Sequence, residues 1–87
     1  MTYSVRWASR ARRAIEVDLP EAVAAAVWEF VNGPLAQNPR RVGKELLGDL
    51  AGTWSARRGQ YRVIYVIDDD TIVVTVVKVD HRRDVYR

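Results

Sequence analysis

The chain has 87 residues, no cysteine and one histidine, which removes disulfides, thiolate zinc sites, thiol nucleophiles and histidine-based metal clusters from consideration. Hydrophobic residues make up 48% and charged residues 29%, the composition of a folded domain rather than a disordered segment. A formal net charge of +3 and a pI near 9.7 suggest a polyanionic partner.

One domain over residues 1–87 is the expectation at this length. Tyr3-Ser4-Val5-Arg6-Trp7 alternates apolar with polar residues and reads as a first strand. Ser9 offers an N-cap to a short helix through about Glu16, and Leu19-Pro20 ends it. A second helix over 21–32 places Val23, Val27, Phe30 and Val31 on one face, and Asn32-Gly33-Pro34 closes it. Residues 35–52 are punctuated by Asn38-Pro39 and glycines and read mostly as loop, with a helical turn conceivable at Gly43 to Leu47. Strands follow at about 53–58, 61–67 and 71–79, joined by turns at Gly59-Gln60 and Asp68-Asp69-Asp70. The expected fold is α+β: an N-terminal strand and a helical hairpin packed on a mainly antiparallel four-stranded sheet with a C-terminal three-stranded meander. No apolar run nears the ~20 residues that span a bilayer. Met1-Thr2-Tyr3-Ser4 leads into strand pattern rather than a signal peptide, so a cytoplasmic protein is expected.

The basic residues are clustered. Arg57, Arg58 and Arg62 lie in a strand pair without an acid, and Lys78, Arg82, Arg83 and Arg87 crowd the C-terminal run. In 61–67, Tyr61, Val63, Tyr65 and Ile67 share one face and Arg62, Ile64 and Val66 the other. In the last strand, Ile72, Val74, Val76 and Lys78 alternate with Val73, Thr75, Val77 and Val79. Both faces are partly apolar, so the alternation leaves open which one the helices cover. A buried, unpaired Arg62 would cost several kcal/mol, so it either faces solvent or a groove or meets a carboxylate, Asp80 or Glu45 being the candidates.

Guanidinium groups, one imidazole and one phenol with few acids make a phosphate-binding inventory. RNA is cut without metal when its 2′-hydroxyl is deprotonated, the phosphorane charge is stabilised and the 5′-oxygen is protonated. Arginine serves only the middle task, because it stays charged. His81 can act as acid or base, and Tyr86 can stack a base or donate a proton. The bland alternatives are a solvated basic face and a structural imidazole. Trp7, Trp28 and Trp54 read as core or interface, with Trp54 also placed to stack a base.

These residues resemble a toxin of the RelE/ParE superfamily, on the RelE side. The resemblance runs nearly end to end, through Ala11-Arg12-Arg13, Leu19-Pro20, Asn38-Pro39, Val42-Gly43-Lys44, Leu50 to Gly59, Tyr61-Arg62-Val63-Ile64-Tyr65 and Val79 to Tyr86. It implies a RelE-like fold and a ribosome-dependent mRNA endonuclease that needs no metal or other cofactor and is held inactive by a cognate antitoxin. On it, the catalytic positions are Arg62, Arg82 or His81, and Tyr86, with His81 favoured as general acid; Lys44, Arg57, Arg58 and Arg83 would grip RNA. The chain departs from some relatives in having Thr53 and Ser55 where they place lysines, so the base is open, with Glu45 and Asp49 as candidates. The alternative is a ParE-like, non-enzymatic inhibitor of DNA gyrase. A toxin-like fold acting only as the antitoxin's partner is a third reading. An antitoxin should combine acidic and apolar residues and cover the basic sheet residues and the helix surface around Ala24, Ala25 and Trp28.

Overall fold

The computed structural model describes residues 2–81, so Arg82, Arg83 and Tyr86 lie outside the described residues. Strand β1 (Ser4–Trp7) leads into α1 (Ser9–Arg13), which widens into a π-helical turn at Ala14–Asp18. Helix α2 (Glu21–Phe30) widens in the same way at Val31–Leu35. Then come β2 (Lys44–Glu45), a 3₁₀ turn at Gly48–Leu50, β3 (Thr53–Arg58), β4 (Tyr61–Asp68) and β5 (Val73–His81). They form one mixed sheet in the order β1-β5-β4-β3-β2, with β1 parallel to β5 and the other pairs antiparallel.

The α+β plan, the helical hairpin and the meander are as expected, and Lys44–Glu45 adds a short fifth strand in a segment read as loop or helical turn. Ser9 is the first helical residue and not the cap: Ala8 holds the extended cap position with no side-chain hydrogen bond. Asn32-Gly33-Pro34 does not end the second helix. Pro34 has no N–H to give, and it sits inside the π turn, where the wider helix departs from the regular i→i−4 ladder. The β3–β4 hairpin closes on Gly59-Gln60, with Gly59 at φ +55° as the first central residue. That is the position a type II′ turn reserves for glycine.

The core lies between the helices and one sheet face. Ala11, Val27, Phe30, Val31 and Leu35 pack against Ala56, Val63, Tyr65, Val74, Val76 and Val79, and each full burial of a valine or leucine is worth about 1.5–3 kcal/mol. Tyr65 is wholly buried and donates its hydroxyl to the Pro39 carbonyl at 2.6 Å. Burial pushes its phenol up to about 12. This bond fastens the 38–43 loop over the sheet, and Gly43 makes the fit possible, since a Cβ there would run into the Tyr65 hydroxyl and the Ser55 carbonyl.

One irregularity decides the rest. β4 and β5 pair Ile64 with Lys78 but Tyr65 with Val76, so Val77 is an extra residue on β5, a β-bulge. Before it, Val74 and Val76 face the helices; after it, Val79 and His81 do. The simple alternation expected for this strand would have left Val79 with Val73 and Thr75 on the opposite face.

Candidate functional site

The sheet face turned away from the helices is built from alternate residues of the five strands, with the alternation broken once by the β5 bulge. On β4 it carries Arg62, Ile64 and Val66, because Val63 and Tyr65 are taken by the core. Register then fixes the neighbours. Arg57 stands directly opposite Arg62 on one side and Asp80 directly opposite on the other. One row along, Lys44, Ser55, Ile64 and Lys78 are successive cross-strand partners. Thr53, Val66, Thr75 and Arg6 form the next row.

Cross-strand partners place their Cβ atoms about 4.5–5.5 Å apart, so Arg57 and Arg62 rise from adjacent points on one face and two guanidinium groups can reach one anion. Like charges directly opposite destabilise a strand pair, and among the described residues neither forms an ion pair. The sheet tolerates the repulsion because both side chains are exposed. An oxyanion lying over them would relieve it and could take a bidentate pair of N–H donors from each. The chain's two lysines, Lys44 and Lys78, are on this same face. Lys78 is bound to Asp80, Nζ to Oδ1 at 3.3 Å.

The remaining candidates are placed elsewhere. His81 is only 5% exposed and pairs with Tyr61 on the helix-covered face, so the bulge has put sheet thickness between its imidazole and Arg62. Arg58 also lies on the helix side, 4.6 Å over the Phe30 ring, with Nη1 donating to the Arg57 carbonyl; it caps the core edge through a cation–π contact. Glu45 is opposite Trp54, away from the Arg62 face, and its carboxylate accepts from the Gly52 N–H. Asp49 is in the 3₁₀ turn. Trp54 packs at the core margin, with the Arg40 guanidinium 5.9 Å from its ring centre.

Asp80, weighed in the sequence as a neighbour for Arg62, is there, though its carboxylate engages Lys78. Lys78 was legible only as part of a basic tail. No glycine or proline marks the bulge that turns Lys78 and Asp80 toward Arg62.

Outside this face, Arg40 grips Asp69 through two hydrogen bonds of 3.1 and 2.6 Å, and the Tyr3 hydroxyl donates to the same carboxylate at 2.7 Å. The Arg40 bond, then that of Tyr3, hold the Asp69 carboxyl below its ordinary range. Asp68-Asp69-Asp70 is thus a turn, as expected, whose middle residue ties β4–β5 to the 38–43 loop and the N-terminal segment.

A family model described as the ParE toxin of type II toxin-antitoxin systems, parDE, matches residues 5–86. The chain belongs to this toxin family. Across the whole of its length the toxin is 52% identical to Toxin RelG of Mycobacterium tuberculosis, covering 99% of that protein. Over 79% of its length it is 54% identical to Toxin RelE of the same organism, covering 71% of it. Among solved structures, a chain of the toxin-antitoxin complex RelBE2 from M. tuberculosis superposes with a TM-score of 0.91 at 50% identity, over 94% of this toxin and 100% of that chain. The toxin is therefore RelE-like in sequence and in fold. Among the described residues no helix is long and apolar enough to cross a membrane.

Proposed function

We propose that this toxin is a ribosome-dependent mRNA endonuclease of the cytoplasm, neutralised by a cognate antitoxin and cutting without metal. The observation that carries the reading is the side-by-side Arg57 and Arg62 pair on an exposed sheet face with Lys44 nearby. Two guanidinium groups in this arrangement suit the extra charge of a phosphorane. The lack of a paired carboxylate on either, among the described residues, leaves their donors for a substrate. Arg82, Arg83 and Tyr86 complete the site in this reading, on the strength of the sequence alone. With His81 on the helix side, Arg82 takes precedence over it as the C-terminal charged group. The similarity to Toxin RelE and to a chain of a toxin-antitoxin complex supports both the activity and the antitoxin partner.

Mapping message 5′ ends after induction tests this. Wild type should create new ends within translated regions, and Arg62→Ala should create none while still binding antitoxin. Messages left intact with replication stalled would instead mark a gyrase inhibitor, the reading favoured by the ParE description of the matching family.

A further inference from the structure

Arg57 and Arg62 can neutralise a phosphorane but cannot accept a proton at any pH of interest. If the toxin cuts RNA as proposed above, some other group must take the proton of the 2′-hydroxyl. On the face of Arg62 the described residues offer two carboxylates. Asp68 is at the far end of β4, where its Oδ1 accepts from the N–H groups of Asp70 and Thr71 and belongs to the turn. Asp80 is the direct cross-strand neighbour of Arg62, in the row Arg57–Arg62–Asp80. Its side chain is 37% exposed, open enough to be reached, and Lys78 engages one of its two oxygens at 3.3 Å.

We propose that Asp80, oriented by Lys78, is the general base of the cleavage, a deepening that rests on the nuclease reading. Asp80 rises from the strand position next to Arg62, about 5 Å away at Cβ, beside a scissile phosphate held by Arg57 and Arg62. The 2′-O–H proton passes to the free carboxylate oxygen. The 2′-oxygen bonds to phosphorus, the P–O5′ bond breaks, and the 5′-oxygen leaves with a proton from water. The products are a 2′,3′-cyclic phosphate and a 5′-hydroxyl, and Asp80 returns its proton to solvent. Lys78 acts as a positioning residue: its ammonium holds one carboxylate oxygen and leaves the other to take the proton. The Val77 bulge is what makes the arrangement possible, because it turns Lys78 and Asp80 onto the face of Arg62 and His81 off it.

The test is single-turnover cleavage of ribosome-bound message over a range of ribosome concentrations. Asp80→Asn should cut about 10²–10⁴-fold more slowly at an unchanged half-saturating concentration, and Asp80→Glu should recover part of the loss. Lys78→Gln should lose less than Asp80→Asn. Should thermal unfolding show Asp80→Asn unfolded, Asp80→Ser carries the same comparison. Cleavage by a folded Asp80→Asn at the wild-type rate, or a loss that appears wholly as weaker ribosome binding, overturns the proposal and leaves the nuclease reading standing. Wild type that cuts no message overturns both.

Discussion

Arg62 joins local chemistry to function through a conflict. Its direct opposition to Arg57 destabilises the strand pair, a cost that an anion held between them would offset in the proposed site. Arg62→Ala is therefore expected to unfold at equal or slightly higher denaturant concentration than wild type while losing message cleavage. Urea unfolding and end mapping on the same preparation check the two halves separately. His81 should behave in the opposite way. Buried beside Tyr61, it contributes packing, so His81→Ala should lose about 1–3 kcal/mol of stability with cleavage per folded molecule retained. An active-site imidazole would show the reverse, full stability and lost cleavage. Asp69 gives a pH prediction. Its carboxyl is held below the ordinary range by Arg40 and Tyr3, so the clamp's contribution is complete above the unfolded-state value, ~4, and is lost as pH falls through the lower folded-state value. The difference in melting temperature between wild type and Asp69→Asn should accordingly shrink toward zero below about pH 4.

Among the elements, the β4 alternation was legible from sequence because it is regular: Val63 and Tyr65 share one face and Arg62 and Val66 the other, the first proving to be the core side. The turn at Gly59-Gln60 was legible because Gly59 carries the signal itself, and the backbone then makes it type II′. β5 was not. A bulge inserts one valine into a run of valines, and nothing in Val73-Val74-Thr75-Val76-Val77 says which residue is extra. β2 was missed because two residues are too few to show a period; the loop adopts strand pairing there because Lys44 and Glu45 meet the exposed edge of β3. Gly43, one residue earlier, lies where the loop meets the Tyr65 hydroxyl and the Ser55 backbone. Gly43→Ala should then destabilise the toxin by about 1–3 kcal/mol through overpacking, measurable by thermal unfolding, whereas Gly33→Ala, with open space around it, should not overpack.

For the whole molecule, the charge excess of +3 is concentrated on one sheet face, where Arg6, Lys44, Arg57, Arg62 and Lys78 stand with only Asp68 and Asp80 among the described residues. Binding to ribosome-held message should weaken steeply with salt, and each of Lys44→Ala and Arg57→Ala should reduce the slope of log K against log salt by about 0.7 if its target is single-stranded phosphate. Filter binding across a salt series measures it. The sequence by itself determined the α+β class, the helical hairpin, the meander and a basic character concentrated around Arg57 and Arg62, since these rest on local periodicity and turn chemistry. Only the tertiary structure decided which sheet face stays open and which charged groups share it. Those depend on strand register, and a single unmarked residue in β5 reverses the facing of Lys78 to His81, carrying His81 inward and bringing Asp80 alongside Arg62.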